Sequence, residues 1–86
     1  MYYVYILKSQ KDQKLYIGST NDLKRRFGQH LNGQVFATKY RRPLNLIYYE
    51  AYCTEPSARQ REKLLKHFGS AYQGLKQRVP EMADDS

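Results

Sequence analysis

Two stretches rich in tyrosine, valine and isoleucine, Tyr3-Val4-Tyr5-Ile6-Leu7 and Leu15-Tyr16-Ile17-Gly18, are separated by the polar segment KSQKDQK. Aromatic and β-branched side chains suit a pleated surface, and a linker this short joins two strands only as an antiparallel hairpin. Strands are therefore expected at 2–7 and 14–19. A hairpin alone is marginal in water, so the rest of the chain has to cover it.

The remaining sequence supplies the cover. Thr20 or Asn21 can cap a helix that starts near Asp22, with the acid in the favourable first turn, and that stops at Asn32-Gly33. Residues 34–42, QVFATKYRR, read as a basic loop. Pro43 opens a third strand at 44–52, because proline is tolerated where a strand begins. Pro56 and Gly69 bracket a helix at 57–68, and 70–79 reads as a shorter last helix weakened by Gly74. Residues 80–86 read as a disordered tail after a single domain at 1–79. The order β-β-α-β-α-α implies an α+β fold with a small antiparallel sheet.

With 86 residues there is room for one small domain and a modest core. Cys53 is the only cysteine, which excludes a disulfide framework and suits a reducing compartment. No apolar run is long enough to span a membrane, and no signal peptide is visible, so a cytoplasmic protein with no membrane partner is expected. The net charge is +7, and three of the eight acids (Glu81, Asp84, Asp85) fall in the last six residues. Residues 1–80 thus hold fifteen cations and five acids, a balance of +10. Such a body suits a polyanion, with nucleic acid first.

Several polar groups stand where an apolar face is expected. Leu23, Phe27 and Leu31 recur at helical spacing and mark an inner stripe, and Arg26 and His30 fall on that same side. A guanidinium there either snorkels at the edge of the stripe or lines a site, and His30 is either a satisfied core histidine or part of that site. Tyr5 and Tyr16 can meet on one face of the hairpin, although buried tyrosines are also ordinary core residues. Gly18 leaves room for a helix or a phosphate to approach, or marks a bulge. On the second long helix Glu62 lies at the margin of the apolar side. It is a candidate metal ligand or simply the partner of Lys66. Arg61, nearer the centre of that side, has no explanation in the sequence.

Taken together, YVY at 3–5, YIG at 16–18, DLKRRFGQH at 22–30, the loop TKYRRPLNLIYYE and ARQREKLLK around Glu62 resemble the GIY-YIG nuclease domain. The likeness is to small stand-alone bacterial members, similar to the N-terminal nuclease module of the bacterial excinuclease. It covers most of the chain and implies a three-stranded antiparallel sheet flanked by helices. It also implies metal-dependent hydrolysis of phosphodiester bonds in DNA. By the resemblance, Tyr5, Tyr16, Arg26, His30 and Glu62 are the catalytic residues, and Glu62 is the metal ligand. Tyr3 stands where the family's first half-motif has glycine, and no asparagine follows Asn45, where many members carry one.

The residue types suit that chemistry. One carboxylate can hold a Mg²⁺, or alternatively a Mn²⁺, that takes its other ligands from water and phosphate. Arg26 can offer a planar fork to the same phosphate. A tyrosine titrates near ~10, so Tyr5, or second Tyr16, can accept a proton only if Arg26 or the metal lowers that value. Gly18, Ser19, Lys39, Arg41 and Arg42 are the candidate contacts to nucleic acid. Backbone contacts of that kind are blind to sequence, so structure-selective or non-specific cutting in DNA repair or recombination is expected. RNA is the alternative polynucleotide, a repair-complex protein the further partner, and a monomer or weak dimer the expected state. The competing function is a nucleic-acid-binding module that kept the fold without turnover.

Overall fold

The computed structural model describes residues 1–83. Strands β1 (Tyr2–Ser9), β2 (Leu15–Thr20) and β3 (Leu44–Tyr52) form one antiparallel sheet in the order β2-β1-β3. The helices are α1 (Leu23–Leu31), α2 (Phe36–Lys39), α3 (Glu55–Lys66) and α4 (Ser70–Arg78), and a 3₁₀ turn follows at Pro80–Met82. This is the expected α+β architecture with one addition, the short α2 inside what reads as a loop.

β1 is the central strand, and its poor polar alternation has a simple cause: both of its faces are covered. Val4 and Ile6 pack with Ile17 against Ala58 and Leu65 of α3 and Leu75 of α4. Tyr5 and Leu7 face the other way, toward Leu23 and Phe27 of α1. The hairpin turn is organised by the buried Ser9. Its hydroxyl accepts from the Lys11 and Asp12 amides at 3.1 and 3.2 Å and donates to the Arg41 carbonyl at 2.6 Å.

Three expectations need correction. Leu31 is 45 % exposed, so the inner face of α1 runs through Phe27 to His30, its one fully buried residue. That rotation brings Arg26 and His30 inward. α3 begins two residues early, because the Thr54 hydroxyl caps it by accepting from the Ser57 amide, which makes Glu55-Pro56 its first turn. The expected tail is docked as far as the described residues go. Val79 and Met82 join the core below β1, Met82 with 3 % exposure, and Lys8 Nζ donates to the Ala83 carbonyl at 2.9 Å. Residues 84–86 of that tail lie outside the described residues.

The position of Arg61 is explained by β3. Glu50 projects toward α3, and Arg61 meets it as a fork, Nε to Oε1 at 2.9 Å and Nη2 to Oε2 at 3.1 Å. The Tyr48 and Tyr52 hydroxyls donate to the same carboxylate, both at 2.6 Å. Burial pushes the Glu50 carboxyl up, but the hydrogen bonds from Arg61, Tyr48 and Tyr52 outweigh it and hold the pKa below its ordinary value. A group depressed in the folded state stabilises the fold above its ordinary pKa, and that contribution is lost as pH falls through the folded value. Glu50→Gln should therefore cost about 2 kcal/mol near neutral pH, because Arg61 is left without its ion partner. Urea unfolding should show the gap from wild type closing as the pH drops below 4.5, the ordinary value for this carboxyl.

Candidate active site

The antiparallel register sets Gly18 opposite Tyr5 and Tyr16 opposite Leu7, so the two tyrosines are diagonal neighbours on the α1 side of the sheet. Their ring centroids are 6.3 Å apart. The glycine is explained by the tyrosine. A Cβ at position 18 would lie 2.6 Å from the Tyr5 hydroxyl oxygen and 2.7 Å from Cζ. The space over Gly18 thus belongs to the Tyr5 ring, not to a helix or a phosphate, and the β1–β2 pairing runs without a bulge.

α1 lays His30 against this pair, with centroids 5.6 Å from Tyr5 and 5.1 Å from Tyr16. The Tyr5 hydroxyl and His30 Nε2 are hydrogen-bonded at 2.8 Å, and His30 Nδ1 is hydrogen-bonded to the Thr38 hydroxyl of α2 at 2.7 Å. His30 and Thr38 are wholly buried and Tyr5 nearly so. Burial pushes the Tyr5 hydroxyl up to about 12, against the pull of the adjacent Arg26 guanidinium. It pushes His30 down to about 4, with Arg26 adding to the effect. The expectation that Arg26 lowers the tyrosine's pKa is thus half right: the cation acts in that direction, but burial wins.

Arg26 lines a cleft of about 330 Å³ between α1, the end of β2 and α3. Arg25, Gln29, Asn21, Ser19 and Arg59 share its walls. Arg26 Nη1 is steadied by donating to Gln29 Oε1 at 3.1 Å. Ser19 alternates to the α3 side of β2, where its hydroxyl donates to Glu62 Oε1 at 2.6 Å. Lys66 sits on the other oxygen at 2.7 Å. Burial pushes the Glu62 carboxyl up, but the Lys66 and Ser19 hydrogen bonds bring its pKa below the ordinary value, so it is ionised at neutral pH. Glu62 is therefore one strand away from Tyr5 and on the opposite face of the sheet, joined to the site around the free edge of β2.

The basic segment is more committed to the fold than its charge suggests. Arg41 pairs with Asp12 at 3.1 Å and donates to the Leu15 carbonyl at 3.4 Å. Arg42 donates to the Lys39 and Leu31 carbonyls at 3.0 and 3.3 Å, tying α2 to the end of α1. Its guanidinium fills the space beside Gly33, whose φ of +75° already calls for glycine. Lys39 is exposed, with its ammonium 5.5 Å from the Tyr40 ring centre. Arg25, Gln29, Arg59 and Thr38 belong to the site without having been expected there. Arg25 and Arg59 were visible only as cations, and Thr38 gave no signal in its basic surroundings.

The GIY-YIG catalytic domain family matches residues 1–76 of the chain. The chain belongs to the GIY-YIG family. A UPF0213 protein of Staphylococcus saprophyticus is 43 % identical over 68 residues, covering 78 % of this chain and 82 % of the relative. One from Clostridium perfringens is 43 % identical over 67 residues, 77 % of this chain and 71 % of the relative. The solution structure of a UPF0213 protein from Bacillus halodurans superposes with a TM-score of 0.53 at 31 % identity, over 87 % of this chain and 81 % of that one. No described helix is long and apolar enough to cross a membrane.

Two outcomes test this GIY-YIG geometry. Gly18→Ala should cost about 1–3 kcal/mol in chemical denaturation, because a rigid ring has to move aside for the new methyl. His30, depressed in the folded state, binds fewer protons there than in the unfolded chain, so its contribution is complete above 6.5 and is lost as pH falls toward 4. The thermal midpoint should drop through that window, and His30→Gln should flatten the drop.

Proposed function

We propose that this GIY-YIG protein is a divalent-metal-dependent endonuclease that hydrolyses phosphodiester bonds in DNA, by structure-selective or non-specific cutting, in repair or recombination. The observation that carries the reading is the place of Arg26, which stands one helical turn before the Tyr5-bonded His30 and lines a cleft shared with Arg25 and Arg59. Three guanidinium groups around one opening suit a polyphosphate backbone, DNA first and RNA as the alternative.

The roles follow from chemistry. Arg26 donates to the non-bridging oxygens of the phosphate as their charge grows. Arg25 and Arg59 hold the neighbouring backbone. Tyr5 orients a water and, being too weak an acid to ionise alone, passes its own proton to His30 as it takes one from the water. Tyr16, partly exposed beside them, is a second hydroxyl for water or phosphate. Lys39 extends the basic surface.

The metal fits a restricted site. Among the described residues no group of three or more His, Cys, Asp or Glu could hold an ion, so Glu62 would be the sole carboxylate and Ser19 a neighbouring oxygen. Both are hard donors, and Lys66 is half exposed and held by a surface pair worth ~0.3–0.5 kcal/mol, so it can swing away. A Mg²⁺ or Mn²⁺ held there by Glu62 would polarise the phosphate and support the leaving oxygen.

The second reading is a binding module without turnover. It is favoured by Lys66 on the Glu62 carboxylate and by the absence of an asparagine after Asn45.

Purified protein with supercoiled, branched, flapped and single-stranded DNA, in Mg²⁺ or Mn²⁺ against EDTA, separates the two. Cleavage should be lost in EDTA and in Glu62→Gln and should fall about 10²–10³-fold in Arg26→Ala. Arg25→Ala and Arg59→Ala should each weaken DNA binding and reduce the salt slope by about 1. Salt-dependent binding with no cleavage of any substrate would leave the binding module.

A further inference from the structure

His30 has no exposed surface, and both of its ring nitrogens are occupied by hydroxyls, Tyr5 on Nε2 and Thr38 on Nδ1. A neutral imidazole carries one N–H and one lone pair, so the two hydroxyls must play opposite roles. Either Tyr5 donates to Nε2 and Nδ1–H donates to Thr38, or Nε2–H donates to Tyr5 and Thr38 donates to Nδ1. Each hydroxyl is able to do both. The phenol breaks the tie. It is a far stronger acid than an aliphatic hydroxyl, and so the stronger donor and the weaker acceptor of the two. The phenolic proton therefore turns toward Nε2, and the Thr38 oxygen accepts from Nδ1–H.

We infer that Thr38 is a positioning residue: it accepts from Nδ1–H, holds His30 in that tautomer, and so keeps Nε2 open to the Tyr5 proton. The backbone around it is built for this. The Thr38 amide donates to the Val35 carbonyl at 3.1 Å, and the Thr38 carbonyl accepts from the Arg41 amide at 2.9 Å, so the residue is pinned at both ends. Arg42 clips α2 to the C-terminal end of α1, which fixes Thr38 relative to His30.

The inference rests on the nuclease reading for its catalytic consequence and on the two His30 hydrogen bonds and the chemistry of their hydroxyls for the tautomer. In the hydrolytic step the water O–H breaks as the Tyr5 oxygen takes that proton. The Tyr5 O–H breaks as Nε2–H forms. The oxygen of the deprotonated water bonds to phosphorus, the bond to the leaving oxygen breaks, and solvent protonates that oxygen. The imidazolium so formed keeps Nδ1–H on Thr38, which needs no rearrangement to accept it.

The test is nitrogen NMR of ¹⁵N-histidine protein at neutral pH, with kinetics beside it. Wild type should show His30 protonated on Nδ1. Thr38→Ser should keep that signature and near-normal turnover. Thr38→Val keeps the shape and removes the acceptor, so its His30 signal should shift away from the pure Nδ1–H form. Its kcat should fall about 10–100-fold, with KM for DNA unchanged. A wild-type His30 protonated on Nε2, or a Thr38→Val spectrum identical to wild type, overturns the inference. If Thr38→Val does not fold, wild type and Thr38→Ser decide the tautomer. If wild type cuts nothing, the nuclease reading fails while the nitrogen spectrum still decides the positioning role.

Discussion

The Tyr5 ring lies over Gly18 and hangs its hydroxyl on His30, and most of the site depends on that one placement. The ring can lie there only because the neighbouring strand carries no Cβ at the facing position. With the ring in place, its hydroxyl sits at the height of α1, which brings His30 to it one turn after Arg26. Any larger residue at 18 would lift the ring, and the hydroxyl would lose its nitrogen. A glycine that at first suggests room for substrate is in fact room for a side chain.

The same economy governs α3. This helix crosses the sheet and is tied to it at both edges by polar pairs, Arg61 to Glu50 on β3 and Glu62 to Ser19 on β2. The two residues are adjacent in sequence and so point about 100° apart around the helix, which is the angle that lets one reach each edge. Apolar contacts through Ala58 and Leu65 between them would permit α3 to roll. The fork of Arg61 on a carboxylate also held by two tyrosines does not, because rolling breaks several charge-assisted bonds at once. The orientation of Glu62 toward the free edge of β2 is thus set in large part by a network on the far edge of the sheet.

Much of this was legible in local sequence. The two tyrosine strands, the third strand, the stop at Asn32-Gly33 and the inward side of Arg26 and His30 follow from period and glycine placement, whereas α1 is capped by Asp22 and not by Thr20 or Asn21, and α3 ends at Lys66, short of Gly69. What was not legible depends on tertiary partners. A four-residue α2 has too little hydrogen bonding to announce itself, and it exists because Thr38 finds His30 and Arg42 finds two carbonyls. Met82 looks like tail until the hollow below Val4 and Ile6 is known. Arg61 looked misplaced because its partner is eleven residues back on a strand whose register the sequence does not print. Arg41 and Arg42 looked like free charge because their acceptors, Asp12 and three backbone carbonyls, belong to other elements.

Burial explains why such a site would stay idle until it is loaded. Tyr5 is held protonated up to about 12 and His30 neutral down to about 4, so at neutral pH neither carries charge. Moving the tyrosine proton to the histidine in the empty site would create two buried charges of opposite sign, an unfavourable step in a medium that solvates neither. Taking a proton from water at the same moment moves the negative charge off the buried phenol and onto the attacking oxygen and the phosphate, so the phenol stays neutral and the imidazole is the buried group that becomes charged. The remaining positive charge then needs a counterion, and Arg26 beside it makes matters worse until an anion arrives. A phosphate in the arginine-lined cleft is such an anion, as it neutralises Arg26 and lifts the penalty that Arg26 imposes on His30. Under the proposed function the substrate's charge would itself make His30 basic enough to act, and would couple the desolvated pair to occupancy of the cleft without any moving part.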